Sequence, residues 1–145
     1  MKIFIGADHA GYSLKEALKK HLELIGHTVE DKGAYSHDEE DDYPDFIFPV
    51  AQAVLDNPES RGVIIGGSGQ GEAMAANRVK GARAAVFYGG NLDIIKLSRQ
   101  HNNANILSLG ARFITGEEAT AALDLWLSTD FEGGRHVRRI EKLDK

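Results

Sequence analysis

The chain has 145 residues, 42% hydrophobic and 27% charged, enough for one domain of ordinary composition with a buried core. A formal net charge of −5 argues against a nucleic-acid binder, which presents a basic face. The absence of cysteine excludes disulfides and thiolate chemistry. A first strand from Lys2 leaves no room for a signal peptide, and no apolar run reaches membrane-spanning length, so a cytoplasmic enzyme or binding module is expected.

Strand-like and helix-like segments alternate along the chain. Lys2–Ala7 is apolar and ends in Asp8, His9, Ala10 and Gly11. Ser13 and Glu16 have capping-box spacing, and Leu14, Ala17, Leu18, Leu22 and Ile25 mark one helical face closed by Gly26. A short strand is expected at Thr28–Lys32, followed by the acidic loop Asp38–Asp42. Phe46–Leu55 has helical spacing, with Pro49 expected to delay or kink that helix.

The run Val63–Ile65 reads as a buried strand within Gly62–Ile65, and it empties into Gly66, Gly67, Ser68, Gly69, Gln70 and Gly71 before a helix over Glu72–Val79. Ala82–Tyr88 predicts a fourth strand, Leu92–Arg99 a helix and Ile106–Leu109 a fifth strand. Thr115 and Glu118 suggest a second capping box before Ala119, Ala122, Leu123, Trp126 and Leu127. The tail Thr129–Lys145 clusters Arg135, His136, Arg138 and Arg139. No repeat or linker divides the chain, so 1–145 is expected to form one domain.

This alternation predicts an α/β fold with a parallel sheet between two helical layers and right-handed crossovers. With strand order 2-1-3-4-5, the order reverses between the first and third strands, where ligands bind in such sheets. Asp8-His9 and the glycine loop would share that crevice. Glycines let bare N–H groups approach an anion, and the helix behind adds its positive dipole end. A carboxylate in such a cradle would repel a phosphate, so Glu72 points to proton chemistry.

Bland readings stand beside these. GGSGQGE lacks the Lys-Ser/Thr ending of a P-loop and the spacing of G-x-G-x-x-G, and is also compatible with a tight turn. Gly6–Gly11 with Asp31 offers a dinucleotide reading, opposed by Asp8 and His9 in mid-loop. Asp8 and His9 can equally cap the next helix, and His101, Asn102 and Asn103 can simply end one. His21, His27 and His37 read as surface or loop residues. No histidine spacing suggests a metal site. Arg135 and Arg139 stand one helical turn apart, able to face one phosphate together.

Four blocks, GADHAGYSLKE, GGSGQGEAMAANRVKGARAA, SRQHNNANILSLGAR and FEGGRHVRRI, together resemble the ribose-5-phosphate isomerase B family, in the family's order and over nearly the whole chain. That family also holds allose-6-phosphate isomerase and the galactose-6-phosphate isomerase subunits. The resemblance implies a five-stranded α/β/α sandwich, a homodimer or homotetramer with sites at the dimer interface, and aldose–ketose isomerisation with no metal or organic cofactor. One branch uses a cysteine base at the position of Gly66, a mechanism this chain lacks. The other uses the loop glutamate, matching Glu72, with Gln70 a small departure. By resemblance, Glu72 is the base, and His101 with Asp8 opens the sugar ring. His9 and Asn102 bind the sugar, and Gly67, Ser68, Gly69, Gln70 and Gly71 cradle the anion. Arg112, Arg135 and Arg139, with His136 beside them, clamp the phosphate, partly across the subunit interface. Tyr88–Asp93 fits the family less well and, following strand four, bears on substrate length.

Overall fold

The computed structural model describes all residues, Met1–Lys145. In chain order its elements are β1 (Lys2–Ala7), α1 (Tyr12–Leu24), β2 (Thr28–Asp31), α2 (Pro44–Asp56), β3 (Arg61–Gly66) and α3 (Gln70–Asn77). There follow β4 (Ala84–Phe87), α4 (Asp93–Gln100), β5 (Ile106–Gly110), α5 (Gly116–Ser128) and α6 (Arg135–Glu141). A 3-10 turn at His9–Gly11 joins β1 to α1.

All neighbouring strands pair in parallel, so both faces of the sheet need a helical cover. Side chains sort by the two-residue period of a strand. Ile3, Ile5, Ala7, Val63, Ile65, Leu107 and Leu109 enter the larger core, which contains Leu18 of α1, Ile95 of α4 and Trp126 of α5. Phe4, Ile64 and Ile106 point the other way, against Val50 and Val54 of α2 and Ala75 and Ala76 of α3.

The strand order is β2-β1-β3-β5-β4, which corrects the expected 2-1-3-4-5. Every residue of β5 is buried, whereas Ala84, Ala85 and Val86 of β4 are only half-buried. The fully buried β5 is the interior strand, and the shorter, half-buried β4 is the edge. Right-handed crossovers then put α3 beside α2 on one face and return α4 beside α5 on the other. The reversal between β1 and β3 survives this correction, so the expected crevice does too.

Local signals were met unevenly. The capping box of Thr115 and Glu118 forms in both directions. Gly26 ends α1 at a φ of 98°, with His27 N–H bonded to Leu22 O. The Ser13–Glu16 box does not form; Asp8 caps the preceding 3-10 turn instead, and Glu16 pairs with Lys15 and Lys19. Pro44 starts α2, and the helix continues through Pro49 rather than beginning after it.

Candidate active site

β1 and β3 end side by side, and their last residues deliver Asp8-His9 and the glycine loop to one crevice. Asp8 is only 7% exposed. Its Oδ1 accepts the N–H groups of Ala10 at 3.0 Å and Gly11 at 3.3 Å, so the capping role is real and fixes the carboxylate. His9 is held from outside this motif. Its Nδ1 lies 2.7 Å from Oδ1 of Asp41, which also accepts the His9 N–H at 3.2 Å. That hydrogen bond raises the imidazole pKa above its usual 6.5, with the charges of Asp8 and Asp41 adding to it. Burial and the Arg112 charge oppose the shift.

The loop after β3 turns on Gly69, whose φ of 80° is a conformation other residues resist. The buried Ser108 hydroxyl of β5 donates to Gly69 O at 2.7 Å and pins the turn. The N–H groups of Gly67, Ser68, Gly69 and Gly71 have no acceptor within the protein. Gln70 N–H bonds Ser68 Oγ at 3.3 Å. Helix α3 begins two residues earlier than expected, which puts Glu72 in its first turn. Glu72 is 4% exposed, and its carboxylate lies against Gly66. Burial raises its pKa above the usual value, and the Asp8 charge pushes the same way; its own backbone N–H opposes them. Desolvation prevails over the N–H at the start of α3.

The corrected strand order explains Arg112. Because β5 flanks β3, Ala111 and Arg112 donate backbone N–H groups to Gly66 O and Gly67 O at 2.8 and 3.0 Å. The Arg112 guanidinium then covers Gly67. With β4 between them it would stand one strand, about 4.8 Å, farther away. Conversely, Tyr88–Asp93 follows the edge strand. Tyr88 packs edge-on against Phe113, with the ring centroids 6.3 Å apart, and is not beside Glu72.

His101, Asn102, Arg135, His136 and Arg139 do not join this crevice within one protomer. His101 caps the C-terminus of α4, which leads into the start of β5, at the opposite end of the sheet. The five residues of β5 alone span about 16 Å. There, the His101 and His136 rings stack with centroids 4.4 Å apart and planes 17° from parallel. Asn102 lines a nearby cleft with Asn77, Arg83 and Leu143. The loop is braced at Asn103, which adopts a φ of 47°: Arg83 Nε donates to its carbonyl at 2.9 Å and Arg99 Nη1 to its Oδ1 at 2.8 Å. Burial, with repulsion from Arg61 and Arg83, lowers Arg99 to about 10.

Three site residues escaped the sequence reading. Asp41 lay in a run read as a solvated loop; Tyr43, at the start of α2, rests against Gly71; Glu132 sits inside the FEGGRH block. Tertiary approach also forms two groups of ligand-type atoms, Asp8-His9-Asp41 and His101-Glu132-His136, that sequence spacing did not suggest. In the first, both carboxylates already accept hydrogen bonds. In the second, the two imidazoles stack with planes 17° from parallel.

The model of the Ribose/Galactose Isomerase family matches residues 3–143. A ribose-5-phosphate isomerase B of Mycolicibacterium paratuberculosis is 42% identical over 99% of this chain and 89% of its own length. Among solved structures, that of Clostridium thermocellum ribose-5-phosphate isomerase B superimposes with a TM-score of 0.94 at 44% identity, covering 99% of this chain and 95% of the other. The Mycoplasma genitalium ribose-5-phosphate isomerase B, solved with bound ribulose-5-phosphate, gives 0.93 at 45% identity, covering 98% and 93%.

Proposed function

Because the chain belongs to the ribose/galactose isomerase family, we propose that it is an aldose–ketose isomerase interconverting D-ribose 5-phosphate and D-ribulose 5-phosphate through a cis-enediolate. The observation that carries the reading is the buried carboxyl of Glu72, raised in pKa, at the base of a loop of free N–H groups. A general base works best with a pKa near the operating pH, and burial moves Glu72 that way. Glu72 takes the C2 proton of the open aldehyde and returns it to C1. The free N–H groups of Gly67, Ser68, Gly69 and Gly71 stabilise the oxygen on which charge develops, each donor that reaches it contributing about 3 kcal/mol. Arg112 and the cationic form of His9 supply positive charge for the phosphate.

The remaining groups reach the substrate from a second copy of the chain. The isolation of His101, Asn102, Arg135, His136 and Arg139 at the far end of the sheet supports this, since one protomer alone carries two half-sites. In a homodimer, the tail of one copy completes the phosphate clamp of the other. His101 and Asn102 then meet the sugar from the side opposite Glu72.

Side-by-side assays with ribose 5-phosphate, allose 6-phosphate and galactose 6-phosphate, with solvent deuterium followed into C1 and C2, test the reading. Turnover and label incorporation with the five-carbon substrate are expected. Preference for a six-carbon substrate would reassign the specificity. Saturable binding without label would leave only a sugar-phosphate-binding module.

A further inference from the structure

Glu132 belongs to no role assigned above, yet its carboxylate faces both stacked imidazoles. Its Oε2 lies 4.0 Å from His101 Nε2 and 3.9 Å from His136 Nε2. Its backbone N–H donates to Gln100 O at 3.1 Å, which ties it to the residue preceding His101. His136 is 5% exposed, and its Nε2 has no hydrogen-bond partner. A carboxylate this close to both rings bears on the placement of each.

We propose that Glu132 is a positioning residue for sugar-ring opening, holding His101 on the stacked His136 ring so that its proton can be delivered to the sugar. The inference rests on the isomerase reading. In the step itself the C1–O4 bond breaks and its electron pair goes to O4, which takes the proton from His101. The O1 hydroxyl gives its proton to Asp8 as the C1=O1 double bond forms. His101 must carry a proton at the start, and Glu132, 4.0 Å from its Nε2, is placed to hold the ring in position for delivering it. His136 competes little for it, because burial, with the charges of His101, Arg135 and Arg139, lowers its pKa. Glu132 is the carboxylate that faces this pair, while Arg135 and Arg139 of α6 oppose protonation of His136. Separations near 4 Å are those of a resting site, which tighten when substrate arrives.

Ribulose 5-phosphate allows a clean test, because its blocked C5 oxygen leaves it no furanose to open. Glu132→Gln is expected to lower turnover of ribose 5-phosphate about tenfold or more. Exchange of solvent deuterium into C1 of ribulose 5-phosphate should stay near the wild-type rate. Glu132→Asp should recover part of the loss. Equal loss of turnover and exchange, or unchanged turnover, overturns the inference. Wild-type protein that neither isomerises nor exchanges instead overturns the isomerase reading beneath it.

Discussion

The carboxyl group of Glu72 occupies the space that a side chain on Gly66 would need. A Cβ built there overlaps the Glu72 carboxyl carbon and Oε1, and even Oε2 lies only 2.6 Å away. Gly66 is not in the left-handed region, so the demand for glycine is steric rather than conformational. A side chain at residue 66 and the carboxyl of residue 72 are thus alternatives for one volume, and glycine at 66 is the condition for glutamate at 72.

Gly66→Ala should therefore cut isomerase turnover at least a hundredfold by displacing Glu72, while costing about 1–3 kcal/mol of stability through overpacking. Steady-state kinetics and chemical denaturation of the same preparation check this. Near-normal turnover in the variant would mean that the base reaches substrate from another position.

Glu72→Gln should abolish deuterium exchange and yet stabilise the fold. A carboxyl whose folded pKa is raised stabilises the folded state below its unfolded value of about 4.5, and that contribution is lost as pH rises through the folded pKa. At pH 7 the ionised, buried group opposes folding, and its removal is expected to add about 1 kcal/mol. The gain should vanish below about pH 4, where Glu72 is protonated in both states. Urea titrations at pH 4 and 7 measure the difference; an equal effect at both would contradict the burial argument.

Asp41→Asn should weaken phosphate binding in a pH-dependent way. His9 is held cationic above its usual 6.5 chiefly by its hydrogen bond to Asp41. Without that carboxylate the imidazole loses its charge at lower pH, so the KM for ribose 5-phosphate should begin to rise earlier as pH increases. A several-fold higher KM at pH 7.5, converging with wild type near pH 5.5, is the expected outcome, with kcat little changed.

Mixing Glu72→Gln chains with Arg139→Ala chains should restore activity if sites are shared between copies. Each homodimer lacks one half-site function, whereas the mixed dimer holds one site with both residues intact. Recovery of up to a quarter of wild-type activity is expected from about half the dimers carrying one good site of two. No recovery despite demonstrated subunit exchange would place Arg139 and Glu72 in the same chain's site.

The alternation of strands and helices, the glycine turn and the placement of Glu72 beside it were legible in the residues, because each depends on neighbours within a few positions. Gly69 had to be glycine for its left-handed φ, and Thr115 and Glu118 meet within one helical turn. Asp41 escaped notice because its partner His9 is 32 residues away. The lateral order of β4 and β5 escaped for a related reason: both are short apolar runs, and which of them lies inside depends on how completely each is covered by helices elsewhere in the chain.

The sequence by itself marked candidates for the chemistry, since residue type and local spacing define a glycine loop, a carboxyl group at its end and a pair of arginines. Only the tertiary structure decided where they meet. Placing β5 beside β3 brought Arg112 over Gly67, whereas α4 carried His101 to the far end of the sheet, out of reach of Glu72 within one protomer. Parallel strands joined by helices send each loop to one end or the other, and that division follows from the path of the whole chain rather than from any short segment of it.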